Sequence, residues 1–293
     1  MRYAAIARCE GEFPVVRLCA VLKVSVSGYY AWLKRPLAPQ QQANQRLQQT
    51  IHAIWQRYRG IYGAPRIHAE LQAMGIRVGH NRVARLMRTA RLRGKSARRR
   101  QPRTTQIDTT QPVAPNTLAR QFSVAQLNTV WLADITYIET QEGFLYLAAI
   151  LDLASRQVVG MAMANHLRTE LVEAALDMAF QQRRPKAGLL HHSDRGSQYT
   201  SQSYRQRLAA QGVSLSMSRV GECRDNAPME SFWATLKREC ADAPFPTREV
   251  ARTELFGYIM GFYNQQRRHS ALGYLSPSAY EQQLERNFNT LPN

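Results

Sequence analysis

Residues 129–139, TVWLADITYIE, alternate cleanly: Trp131, Ala133, Ile135 and Tyr137 fall on one side, Leu132, Asp134, Thr136 and Ile138 on the other. A period of two predicts a β-strand with apolar residues on both faces. Asp134 is the exception, because a charge in mid-strand is costly to bury without a partner. Downstream, GFLYLAAILDLASRQVVGMAM predicts two further strands hinged at DLASRQ. A helix follows at about 169–182, where Leu171, Val172, Ala175, Met178 and Ala179 recur at helical spacing. Next come a buried strand, AGLLHH, a helix after SQYTSQSY, and a short strand, VSLSM. After Pro228 a last helix places Phe232, Leu236 and Cys240 on one apolar side. Three strands, then helices alternating with strands, describe an α/β layered domain.

Upstream the pattern is helical. Residues 13–35 read as helix, turn, helix, with Ser25 or Ser27 as cap and Tyr29, Tyr30, Trp32 and Leu33 as packing residues. PLAPQQQANQRLQQ reads as a Gln-rich linker entering a helix at about 44–58. Two more helices flank the turn MGIRVGHN, a helix-turn-helix arrangement whose second helix would enter a major groove. On that helix Arg82, Arg85, Arg88 and Arg91 lie opposite Val83, Leu86 and Met87. Residues 88–103 hold eight basic side chains, among them Arg98, Arg99 and Arg100, and no acid. Such a block suits an extended arm that tracks phosphates, and residues 104–120 read as a linker. These shifts divide the chain into an N-terminal helical segment with its linker (1–43), a second helix-turn-helix-like module (44–94), a basic linker (95–121) and an α/β domain with a helical tail (122–293).

The charge follows the same division. Residues 1–121 carry 22 Lys and Arg against 4 Asp and Glu, so the whole formal charge of +18 resides there; the remaining 172 residues hold 17 of each sign. A basic arm beside a neutral globule points to a polyanion, most simply nucleic acid. Cys9, Cys19, Cys223 and Cys240 form no CxxC pair and no zinc spacing, which predicts reduced thiols. The longest apolar run, FLYLAAIL, is too short to span a bilayer. The expectation is a soluble cytoplasmic chain, associated with the nucleoid and not with a membrane.

Chemistry narrows to three acids. Asp134 lies in mid-strand, Asp194 at the carboxyl end of a buried strand, and Glu230 in the first turn of a helix. Asp194 also fits a plain turn residue, and Glu230 fits compensation of the helix dipole. No GxSxG elbow or GxxxxGK[ST] loop is present. A glycosidase pair would leave the basic arm unexplained. Three carboxylates beside nucleic acid suit two divalent ions set against a phosphodiester, with Mg2+ as the natural ion and Mn2+ as a substitute. Lys237 stands seven residues after Glu230, on the same line of the helix, whereas a helix ion pair uses three or four.

With 35 residues between Asp194 and Glu230, and with WLADIT, HHSDRGSQYTS and DNAPMESFWATLK, the chain resembles the DDE transposase and retroviral-integrase superfamily. Closer still, it is similar to the second-reading-frame transposases of bacterial insertion sequences of the IS-three family. FYNQQRRHSALGYLSPSAY matches that family's tail, and SGYYAWLKR and YGAPRIHAEL with GIRVGHNRVARLMR match its helix-turn-helix region. Ala133 stands where the family usually has threonine, and Trp233 where phenylalanine is commoner. The resemblance implies an RNase H-like core preceded by all-α DNA-binding modules, with Asp134, Asp194 and Glu230 as metal ligands. It further implies cleavage of element ends and transfer of the freed 3′-hydroxyl strand.

The partners implied are terminal-repeat DNA, target DNA, a second copy on paired ends, and an upstream-frame helix-turn-helix protein or fusion. The chain begins at Met1 without a heptad run, as a second-frame portion alone would. Lys237 is expected at the DNA near the cut. Arg268 and Asn226 are further candidate DNA contacts, although Asn226 fits a capping role equally well. Tyr263, Asn264 and His269 belong to the same tail; His269 meets phosphate or packs, and His191 and His192 read as structural. The alternatives are a nuclease of the same fold that cleaves without joining, and a DNA-binding regulator with an inert core.

Overall fold

The computed structural model describes residues 2–36, 38–95, 114–219 and 222–289. Arg98, Arg99, Arg100 and most of the expected basic linker lie outside the described residues. Three short helices open the chain, α1 (Arg2–Cys9), α2 (Val15–Val21) and α3 (Val26–Lys34), around a small core of Ile6, Cys19 and Tyr29. Ser25 caps α3 by accepting from the Gly28 N–H. Of the four aromatic and aliphatic residues expected to pack there, only Tyr29 is buried; Tyr30, Trp32 and Leu33 are exposed by 46%, 36% and 50%.

The second module comprises α4 (Pro39–Arg57), α5 (Ala64–Ala73) and α6 (His80–Thr89). The Gln-rich stretch is helix here, because Pro39 starts α4 and unbranched glutamines favour it. Ile51, Tyr62, Ile67, Leu71 and Val83 are fully buried between the three helices. Ala90 ends α6, and Arg91 follows with a positive φ of 56°, so it leaves the helical line it was expected to continue. Arg85 and Arg88 remain on the exposed face.

A five-stranded sheet forms the third unit: β1 (Val130–Ile138), β2 (Leu145–Asp152), β3 (Val158–Ala164), β4 (Leu190–Ser193) and β5 (Ser214–Met217). The spatial order is β3-β2-β1-β4-β5. The first three strands run antiparallel, whereas β4 and β5 join β1 in parallel. This is the expected α/β, RNase H-like architecture. Alternation in β1 and β2 feeds two cores. Leu132, Ile138, Leu145 and Leu147 meet α10 (Ala227–Glu239) and α11 (Arg248–Phe256) on one face. Trp131, Ala133, Ala148 and Ile150 meet α7 (Thr169–Arg183), α8 (Ser197–Thr200) and α9 (Gln202–Ala210) on the other. A Cβ on Gly160 would fall 2.2 Å from the Ala175 carbonyl oxygen, so β3 can carry α7 this closely only with glycine there.

The chain then runs through a π-helical turn (Gly257–Tyr263) and ends in α12 (Pro277–Asn289). The turn's wider winding shows in the Asn264 N–H donating to the Ile259 carbonyl, five residues back. No helix among the described residues is long and apolar enough to cross a membrane.

Candidate active site

The register of the sheet brings the first two acids together. Leu132 of β1 pairs with His192 of β4 in parallel, so Asp134 and Asp194 each lie two residues beyond matched positions on neighbouring strands. Such strands run about 4.8 Å apart, and in-register side chains share a face. The third acid comes from α10, which packs on β1 and carries Glu230 in its first turn. The helix is anchored through Met229, Phe232 and Leu236, all buried.

Asp134 records this proximity. Burial first, and then the charge of Asp194, push its carboxyl up to about 7; hydrogen bonds from the Ile135 N–H and the Trp233 indole pull the other way, and Glu230 adds to the rise. The two bonds are 2.8 Å to Oδ1 and 3.0 Å to Oδ2. Asp194 Oδ1 accepts from the Gly196 N–H at 2.9 Å. Tyr199 is buried beside both aspartates, and burial, then Tyr204 and the two carboxylates, raise its hydroxyl far above its usual range. Among the described residues no three His, Cys, Asp or Glu side chains are drawn close enough to enclose a metal ion. The donor set is nonetheless all carboxylate oxygen, which suits a hard divalent cation, and like charges hold such side chains apart until a cation draws them in.

Two networks fix the acids' backbones. Asn226, just before α10, is buried and donates from Nδ2 to the Ala133 carbonyl at 3.1 Å, tying the root of that helix to the residue before Asp134. It makes no side-chain cap, and its side chain is buried. Asp225 beside it accepts from Arg219, Arg120 (2.7 Å) and Asn116 (2.8 Å). Bonding to Arg219 holds its carboxyl well below the usual range, against the cost of burial.

Lys237 reaches back along α10, and its Nζ rests 4.4 Å from the centre of the Tyr137 ring. Burial lowers its pKa, while Glu139 and Asp134 oppose that shift, so the lysine lies in the field of the acidic cluster. His192 bonds Ser216 and Ser218, and His191 bonds Tyr204. Burial pushes the two imidazoles down to about 4 and about 3, leaving neutral spacers between strands. His269 packs edge-on against Tyr263 at 4.7 Å, and Asn264 bonds the N–H and carbonyl of Val158. Arg82 is partly turned inward to Asn44 Oδ1.

Two stretches of the chain, 125–223 and 211–277, match the integrase core domain family, and residues 42–100 match an HTH-like domain. The transposase InsF for insertion sequence IS3A of Escherichia coli (strain K12) is 38% identical over 284 residues, covering 96% of this chain and 98% of that one. The chain belongs to the IS3-family transposases. An uncharacterized 31 kDa protein of insertion element IS600 from Shigella sonnei is 46% identical over 266 residues, 90% of this transposase and 97% of that protein. Among solved structures, the HTLV-2 integrase catalytic core domain in complex with magnesium aligns at 16% identity and TM-score 0.36, over 52% of this chain and 94% of that one. The BIV integrase catalytic core aligns at 16% and 0.41, over 55% and 99%.

Proposed function

We propose that this transposase binds the ends of its insertion sequence, cleaves them, and transfers the freed 3′-hydroxyl strand to a second phosphodiester. What supports the reading is the register that sets Asp134, in mid-β1, beside Asp194 just past β4, with the charges of Asp194 and Glu230 both acting on Asp134, in a chain of this family. The three carboxylates would hold Mg2+, with Mn2+ as a substitute. When bound, the ions would polarise the scissile phosphate and activate the attacking oxygen. Trp233 and the Ile135 N–H orient the Asp134 oxygens, and Asn226 and Asp225 hold the turn that launches Glu230. Lys237, a mobile point charge, leaves the Tyr137 ring to meet DNA near the cut. Arg85 and Arg88 on α6, with the basic segment that includes Arg98, Arg99 and Arg100, bind phosphates of the terminal repeat. Paired ends would require two copies of the chain.

The test uses labelled duplexes taken from the DNA flanking the chain's own coding sequence, a supercoiled target and Mg2+. Wild-type protein joins end to target; Asp134→Asn, Asp194→Asn and Glu230→Gln each lower joining by roughly 10²–10³-fold or more, the scale for losing one preorganised charged group. Binding of the duplex is retained in all three. Cleavage without joining would instead make the protein a nuclease, and full turnover in EDTA would end the metal assignment.

A further inference from the structure

The C-terminal stretch FYNQQRRHSALGY (262–274) forms a bracket between the helical module and the sheet domain. Arg268, one of the candidate DNA contacts, has its donors engaged within the chain. Its Nε and Nη2 clasp the two oxygens of Glu70 on α5 at 2.6 and 3.1 Å, and its Nη1 donates to the Tyr274 carbonyl at 2.8 Å. Its backbone is held as well: the Arg268 N–H donates to the Tyr62 hydroxyl at 3.0 Å, and its carbonyl accepts from Arg66 Nε at 2.9 Å. Tyr58 donates to Glu70 Oε1 at 3.0 Å, completing that carboxylate's shell. Tyr58 and Tyr62 stack on each other at 4.1 Å, and Phe262 packs against both, with centroids at 6.1 and 6.4 Å. At the far side Lys95 Nζ reaches Asp242 at 3.0 Å and the Glu239 carbonyl at 3.3 Å.

A planar, bidentate, half-buried ion pair backed by aromatic packing fixes orientation as well as distance. The segment it joins to the helical module returns directly into the sheet domain. Arg267 is bound to Glu239 on α10, the helix that carries Glu230, and Asn264 is bound to β3. These bonds therefore link α5, and through it the module that carries the exposed arginines of α6, to α10 and β3. We infer that Glu70 and Arg268 are positioning residues that set the cutting register: the module that grips the terminal repeat holds the cleaved phosphodiester at a fixed distance from the grip. This inference rests on the function proposed above.

The variants are Glu70→Arg, Arg268→Glu, the Glu70→Arg/Arg268→Glu pair, Arg268→Lys, and Glu70→Gln in case a charge reversal fails to fold. The first readout needs no DNA. Spin labels at Thr89 on α6 and Gln206 on α9 report one narrow distance in the wild type, a broad distribution in each single charge reversal and in Glu70→Gln, and a narrower one again in the pair. Arg268→Lys keeps the charge without the bidentate fit and falls between. The second readout is the cut position on the labelled duplex. Wild-type protein cuts at one phosphodiester; the single variants spread cleavage over several neighbouring positions, and Glu70→Gln does so while duplex affinity changes less than threefold.

Single variants with wild-type distance distributions, or with an unaltered single cut site, would overturn the inference. A wild-type protein that shows the narrow distance but cuts no end would instead count against the proposed function and leave the bracket standing.

Discussion

Helix α10 carries a glutamate near each end, and the protein treats them in opposite ways. Glu239, at the C-terminal end, is buried to 1% side-chain exposure and grips Arg267 through two bonds of 2.7 Å, with the Tyr258 hydroxyl donating at 2.7 Å. Burial alone would raise its pKa; the guanidinium outweighs burial and holds it below the usual range. Glu230, at the N-terminal end, has the helix dipole in its favour, yet it adds its charge to Asp134. One acid has its cation built in. The other sits among acids, and that imbalance reserves a place for a cation from outside.

The largest effect expected from breaking this contrast is at the paired end. Arg267→Ala leaves Glu239 buried without its cation and should cost about 3–5 kcal/mol, lowering the melting temperature by roughly 10 °C. Replacing both partners, as in Glu239→Leu/Arg267→Met, should cost less than Arg267→Ala alone, because no orphan charge remains. If the double variant melted lower than the single, the ion pair would be contributing more than its own mutual compensation.

At the unpaired end the sign reverses. The folded pKa of Asp134, about 7, exceeds the ordinary carboxylate value of about 3.9. Folding thus favours its protonated form; that contribution is complete below about pH 4 and is lost as pH rises through 7. Without divalent ions, Asp134→Asn should therefore be more stable than wild type at pH 8, with a ceiling of about 4 kcal/mol, and should match it near pH 4. His191 and His192 contribute the opposite slope. Their folded pKa values are depressed, so their contribution is present above about pH 6.5 and is lost on acidification. Melting curves of wild type and Asp134→Asn across pH 4–8 isolate the aspartate, since both carry the histidines. Parallel curves would show that folding does not raise the Asp134 pKa.

The smallest effect belongs to the hydrogen bond between Trp233 and Asp134. Trp233→Phe keeps a ring in the core but removes the donor that orients Oδ2. Divalent-ion affinity measured by calorimetry should fall about 10–100-fold, the usual cost of losing a partner that orients a metal ligand. Unaltered affinity would reduce the indole to packing.

Periodicity alone made β1, β2, β3 and α7 legible, because each buries one apolar face or two and the repeat of 2 or 3.6 residues is written in the side chains. The three acids were legible as breaks in those patterns: a charge within a strand, another at a strand's end, a third opening a helix. Trp233 carries a sequence signal of its own, since i+3 on a helix places it beside Glu230. Asn226 and Arg268 were harder. Each is polar and near a motif, as a DNA contact would be, and only tertiary packing shows that Asn226 spends its amide on the Ala133 carbonyl and Arg268 its guanidinium on Glu70. Partners 93 and 198 residues away leave no local trace in sequence. The helical state of the Gln-rich stretch carries no distinct signal, because glutamine is common to linkers and helices alike.

The π-helical turn at Gly257–Tyr263 has a bearing on how this chain tolerates change in length. Its wider winding sets consecutive residues on opposite duties: Phe262 turns toward Tyr58 and Tyr62, while Tyr263 packs on Phe232 in the sheet domain at 4.9 Å. Deleting one residue there would tighten the turn to an ordinary helix and rotate everything beyond it by about 100°. Asn264, Arg267 and Arg268 would all lose their partners together. The tail behaves as a keyed lock, in which an omitted residue does more harm than a wrong one.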